Sequence, residues 1–324
     1  MRPDGGPLAP VRVTPEDFHY VAENFVQFLQ TLAQVGQQLS GQVNAAAGIA
    51  GIDEYAKDFD AQFRPVADEV FAGFDRACNL LGDISTGIDW SGVNHWRADH
   101  ASVPGNNPDE TPWTPASSGT YLPMNLTAPS LFGHTKFPIG VASLEQKIPL
   151  GSPSGLHALA DDFGAARDQV QDLTDACHNQ LETLFANNSS ADLDALDEYW
   201  DRVGGASDTA ILTALVRGCD QLCQSLHDYA EWMTEAMDQV IRTLADLALQ
   251  AGFSFVFGLA SLFSGEEEGV PVAISKLGDA IGVAKIAAAV DTAVVAVAGT
   301  ALVSLGFGID AINGAMTAAI NATP

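Results

Sequence analysis

The chain has 324 residues, with 41 Asp and Glu against 14 Lys and Arg, and a net charge of −27. Hydrophobic residues make up 47% of it, enough to bury a core, so it is no disordered acidic tail. The charge excludes nucleic acid as a partner and argues against anionic headgroups, because both require clustered Lys and Arg.

Length alone suggests about two domains. The opening Met1-Arg2-Pro3-Asp4-Gly5-Gly6-Pro7 is too polar and Pro-rich for a Sec-type signal peptide, so export by the general secretory route is not expected. Thr14-Pro15-Glu16-Asp17 then reads as a helix start, with Thr14 as N-cap and Pro15 at the first helical position. Phe18, Val21, Ala22, Phe25, Leu29, Leu32, Leu39 and Val43 follow at the spacing of one buried helix face. The period resumes at Tyr55, Phe59 and Phe63 and continues from Val66 to Ile88. Pro65 is expected to kink or break this second helix, since it lacks an N–H and clashes with the preceding turn.

Residues 101–153 differ in kind. They hold nine of the sixteen prolines and only five charged residues. Such a stretch cannot be a continuous helix and reads as a linker lying along a helical bundle. Beyond it, Leu156 to Leu184 give one helical face, Asn187-Asn188-Ser189-Ser190 a turn, and Leu193 to Trp200 a short helix. That helix ends at Gly204-Gly205, where Trp200 is positioned to plug the hairpin turn. A long helix from Ile211 to Leu244 completes a second hairpin.

The last part is apolar. Leu247–Phe263 is interrupted only by Gln250 and small residues, and Thr292–Ile309 carries no charge. These lengths sit at the lower edge of what spans a bilayer, and packing in a bundle is the alternative. The expected class is therefore all-α: two long antiparallel helical hairpins joined by a Pro-rich linker, followed by Ala/Gly-rich apolar helices. The segments are 1–100, 101–153, 154–246 and 247–324.

Few side chains suggest chemistry. Cys219, Cys223 and His227 share a helical stripe that Cys177 or His178 could face, but this spacing matches no known zinc motif. Buried packing of the thiols is preferred, and no metal or other cofactor is assigned. A bridge between Cys177 and Cys219 is the remaining candidate, formed only in an oxidising compartment. No nucleophile–base set, phosphate loop or HExxH motif is present, so no catalytic residue is assigned and the chain is read as a non-enzyme.

Gly51-Ile52-Asp53-Glu54-Tyr55-Ala56-Lys57-Asp58-Phe59, with Phe63-Arg64-Pro65-Val66-Ala67, resembles the second helix of Trp-x-Gly-type hairpin proteins of bacterial type VII secretion. Gly151-Ser152-Pro153 before Leu156, and Tyr199-Trp200-Asp201-Arg202-Val203-Gly204-Gly205, resemble the matching module of actinobacterial polymorphic toxins with a CpnT-like N-terminal domain. Hairpin, Pro-rich linker, hairpin and apolar tail follow in that family's order along nearly the whole chain.

The resemblance implies a secretion substrate or effector delivery region that docks on a small helical Trp-x-Gly-type partner and on a secretion ATPase. It implies a protein secreted or associated with the cell envelope by a non-Sec route. In the family a Tyr-x-x-x-Asp/Glu signal follows the hairpin. Here the matching position is His95-Trp96-Arg97-Ala98-Asp99, with His95 in place of the tyrosine. In such relatives a toxin domain lies beyond the tail. The alternative reading is a channel-forming protein that contacts a membrane through 247–320.

Overall fold

The computed structural model describes residues 12–107, 110–114, 123–133, 142–207, 209–250, 274, 278–279 and 281–297. They form α1 (Pro15–Ala45), α2 (Glu54–Ala101), α3 (Ala142–Glu145), α4 (Pro153–Asn187), α5 (Ala191–Val203) and α6 (Ile211–Gln250). A further helical run covers 283–297, and no strand occurs among the described residues. The protein is all-α.

Four long helices carry the fold. α1 packs on α2, α4 on α6, α1 on α4, and α2 on α6. Every one of these neighbours is antiparallel. Ser85 Oγ donates to the Ala22 carbonyl, Gln42 reaches Asp162, Arg167 reaches Asp220, and Phe59 stacks on Tyr229 at 4.1 Å. One continuous core runs from Phe18 through Leu244, so the segments read from the sequence share a single interior.

α2 runs unbroken through Pro65, so of the kink or break expected there the break does not occur. Pro65 is exposed, and so is Ala61, whose carbonyl loses its partner. That carbonyl lies on the exposed side, while buried Phe59, Phe63, Val66, Ala67 and Val70 hold the helix on its other face. Thr14 does occupy the N-cap position of α1, yet its hydroxyl makes no capping bond. Its backbone N–H instead donates to Asn188 Oδ1 at 2.6 Å, tying the start of α1 to the α4–α5 turn.

The chain leaves α2 at one end of the bundle and must start α4 at the other. Residues 123–133 make part of this return as an extended strap, and aspartates of α2 receive its backbone donors. Asp75 accepts from the N–H groups of Met124 and Asn125, at 2.8 and 3.3 Å. Asp68 accepts from Ala128 at 2.7 Å, and Asp60 from Leu131 at 2.6 Å and from the Ser130 hydroxyl at 2.9 Å. The registers match. Seven steps from Met124 to Leu131 span at most about 23 Å at about 3.3 Å each, less what Asn125 gives up at φ +48°. Fifteen helical residues from Asp60 to Asp75 span about 22 Å at about 1.5 Å each.

At the far end the strap is knitted into the α1–α2 turn. Gly48 N–H donates to the Ser130 carbonyl, Ala50 N–H to Leu131, and Gly133 N–H to Gly51. Gly51 has φ +109°, a conformation that L side chains rarely adopt. Lys147 Nζ then joins Glu54 at 2.8 Å and Asp291 at 3.0 Å, so it connects the start of α2 to the helical run 283–297. Ile286, Val290 and Val294 of that run are buried on the same core. Among the described residues no helix is long and apolar enough to cross a membrane. Most of 247–263 and 292–309 lies outside the described residues.

Asp60 is buried and its removal would leave the Leu131 N–H and the Ser130 hydroxyl without this acceptor, so Asp60→Ala should cost about 2–3 kcal/mol in urea unfolding. Half-buried Asp68→Ala should cost about 1 kcal/mol. Asp53 caps α2 through Ala56 N–H and is fully buried, and burial pushes its carboxyl up to about 6 despite those backbone donors. The folded state therefore holds this proton more tightly than the unfolded chain. Asp53 opposes folding above pH 6, and the penalty is relieved as the pH falls toward 4. Relative to Asp53→Asn, the native protein should gain about 2 kcal/mol between pH 7.5 and 4.5, read from paired denaturation curves.

Candidate functional site

Of the sequence-assigned residues, His95 and Asp99 lie where α1 begins, α2 ends and α5 rests against them, and the others lie elsewhere in the bundle. Gly92 sets how closely these elements meet. A Cβ there would stand 2.7 Å from Phe18 Cβ, 3.0 Å from the Pro15 carbonyl and 3.3 Å from the Trp113 ring. The start of α1 therefore crosses directly over Gly92, and α2 continues beyond it for about two turns. Buried Asp89, one turn earlier, accepts from His19 Nδ1 at 2.9 Å and from Trp113 Nε1 at 2.9 Å. His19 and Trp113 stack at 4.8 Å.

His95 and Asp99 occupy the projecting end of α2. His95 Nε2 lies 3.1 Å from Asp192 Oδ2 of α5, so this ring is engaged with its neighbour. Asp99 is exposed. Trp90, on the same length of helix, is 44% exposed, with the Arg97 guanidinium 5.9 Å from its ring.

Trp200, Gly204 and Gly205 form the other end of α5. Trp200 is buried, its Nε1 donates to His178 Nδ1 at 3.3 Å, and its ring meets Phe25 edge-on at 6.1 Å. Gly204 is the C-cap of α5, and a Cβ on it would collide with the Trp200 ring. A Cβ on Gly205 would collide with the Asp201 carbonyl. The aromatic and its two glycines are thus one packing unit at the turn.

Cys177 and Cys219 do not pair; all four cysteines are free. The Arg167–Asp220 contact fixes the α4–α6 register and places Cys219 level with residue 168. That leaves about 13 Å of helix rise between it and Cys177, beyond the Cα separation of about 7 Å that a disulfide tolerates. Burial pushes the Cys177 thiol well up and that of Cys219 up to about 12, so both are inert packing groups. Half-buried Cys223 faces Gly164. His227 turns to His157, with Nδ1 atoms 2.8 Å apart, and to Asp161 at 3.4 Å. Among the described residues no three His, Cys, Asp or Glu side chains are arranged to hold a metal ion.

Sequence reasoning missed the cleft between α2 and α5. It encloses about 440 Å³ over a floor of Phe18, Ile84 and Ile88, with Leu193 and Leu196 opposite. Asp83 and Ser91 stand on the α2 rim and Asp192 on the α5 rim. Asp192 is held below the usual carboxylate range: burial would raise it, but the Ser190 and Ser91 hydroxyls and His95 more than reverse this. The signal was the stripe Ile84, Gly87, Ile88, Ser91, an apolar face with a glycine where a larger residue would close the gap.

Two glycines of α2 should respond oppositely to the same substitution. Gly92→Ala should destabilise by about 1–3 kcal/mol, because α1 must move away from the added methyl. Gly87→Ala meets nothing within 4 Å and should stabilise by up to about 1 kcal/mol through helix propensity. Thermal unfolding of the two variants reads both signs.

No family model, curated protein or solved structure matches the chain, so its functional reading rests on its own residues.

Proposed function

We propose that this protein is a non-enzymatic substrate or effector delivery region of a type VII secretion system. Two antiparallel helical hairpins folded on each other form a docking body for a small helical Trp-x-Gly-type partner and for the secretion ATPase. It is secreted or held at the cell envelope by a non-Sec route. The observation that carries this reading is the projecting end of α2, where exposed Asn94, Ala98 and Asp99 extend past the start of α1. An exposed, acid-bearing length of rigid helix is a surface suited to another helix. His95 is already engaged with Asp192, so in this reading Asp99 presents the recognition face and His95 braces it. The buried stripe Ile286, Val290, Val294 favours a tail docked on the body over a free-standing channel element.

The test is export from a type VII-competent actinobacterial host. The tagged chain should reach the culture filtrate when the secretion ATPase is active and stay with the cells when its ATP site is inactivated. Asp99→Ala, an exposed change that leaves the fold intact, should sharply lower the exported fraction. Equal release from both strains, or export unchanged by ATPase inactivation, overturns the reading.

A further inference from the structure

We propose that His157 of α4 and His227 of α6 form a two-imidazole clip for a late first-row divalent metal ion, nickel or copper, that ties the two helices together. The site is independent of the export reading. The ring Nδ1 atoms lie 2.8 Å apart, with the ring centroids at 5.1 Å and the planes inclined by 38°. Two metal–nitrogen bonds of about 2.1 Å set their nitrogens about 3.0 Å apart at a right angle and about 3.4 Å apart at the tetrahedral angle. The observed separation is close to the first. It fits the square or octahedral arrangement of nickel and copper better than the tetrahedron of zinc, and imidazole suits both ions as a donor.

The neighbours prepare the pair. His227 Nε2 lies 3.4 Å from Oδ1 of Asp161, which stands one turn along α4 from His157. An ionised carboxylate only accepts, so it holds the His227 proton on Nε2 and leaves the Nδ1 lone pair bare. His157 Nδ1 then donates to that lone pair, and moving its proton to its own Nε2 frees a second one with no change of charge. A carboxylate behind a ligating imidazole is a common support of metal sites. The helices keep the rings in register without an ion. Arg167 Nη1 donates to Asp220 at 2.6 Å farther along the same interface, and Leu156, Ala160, Leu226 and Ala230 beside the histidines are buried. Little order has to be gained on binding. Both rings are half-buried, His227 with 36% of its side chain exposed, so an ion can enter from solvent and keep water in its other positions. Exposed Asp161 and Asp228 draw cations to this flank, while Cys223, one turn from His227, faces Gly164.

The experiment titrates Ni²⁺ and Mg²⁺ into the full chain, carrying no polyhistidine tag, at pH 7.5, by calorimetry and thermal shift. Ni²⁺ should bind and raise the melting temperature, since an ion held by both helices favours the folded state. Mg²⁺, which seeks oxygen ligands, should do neither. His157→Asn and His227→Asn should each abolish the shift with helix content unchanged by circular dichroism, and Asp161→Asn should weaken Ni²⁺ binding about tenfold. Cys223→Ser should leave Ni²⁺ binding unchanged. In that variant, electron paramagnetic resonance of bound Cu²⁺ should show two imidazole nitrogens, a readout that stands even if the histidine variants do not fold. Ni²⁺ binding that survives undiminished in a folded histidine variant, that Mg²⁺ matches, or that is lost with Cys223→Ser overturns the proposal. So does a copper spectrum with fewer than two nitrogens.

Discussion

An extended chain without a sheet partner has donors that must be satisfied, and this bundle needs such a chain. α2 ends where α5 lies, and α4 starts beside the α1–α2 turn, so the connection has to travel back along the helices. A returning helix would require N–H groups at every position, which the Pro-rich 101–153 cannot offer. Residues 123–133 instead run without helical hydrogen bonding, and α2 supplies acceptors from its side chains because its own backbone is already used. Asp60, Asp68 and Asp75 fall seven or eight residues apart, about two turns, and so line one face of the helix. Part of the extreme acidity of this protein is therefore structural: several carboxylates are hydrogen-bond acceptors rather than solvated charge.

The rest of the molecule follows from that return path. Bringing α4 back to the α1–α2 turn makes all four long-helix contacts antiparallel and closes a single core. It also crowds the turn, which is where Gly51 takes its positive φ and where a Cβ on Gly151 would strike the Ala50 carbonyl. At the opposite end the elements are less constrained. α5 has only 13 residues and leaves a cleft against α2. Tight packing at one end and an opening at the other come from the same topology.

Much of the helix pattern was legible. The apolar periods from Phe18 to Val43, Leu156 to Leu184 and Ile211 to Leu244 predicted faces that are buried, because helix periodicity is a local property. The Asn187–Ser190 turn and the Trp200–Gly204–Gly205 unit were readable for the same reason. That Pro65 does not break the helix was not readable, because its effect depends on which face it occupies and only the packed structure says that it faces water. The bridge between Cys177 and Cys219 failed on register, which depends on turn lengths that periodicity does not report. The aspartate ladder was invisible, and the α2–α5 cleft showed only as an apolar stripe with a glycine in it, because each joins segments distant in sequence. An aspartate on a helix face reads as solvated until the strap lies across it.

The ladder also bears on how this protein can change over evolutionary time. Apart from the Ser130 hydroxyl it grips main-chain atoms, so it is blind to most side chains of the strap. Pro123 precedes the donors at Met124, Asn125, Ala128 and Leu131 and Pro129 falls between them, where no N–H is required. Away from Ser130 and the buried Ala128 and Leu131, identity along the strap is therefore free to drift, with proline barred from the four donor positions. Length is not free. Deleting one residue between Met124 and Leu131 would shift the donors by about 3.3 Å against acceptors fixed on a helix. Homologues should thus diverge in the letters of this segment while conserving its count and the three aspartates opposite, a pattern that sequence identity scores as loss and geometry scores as constancy.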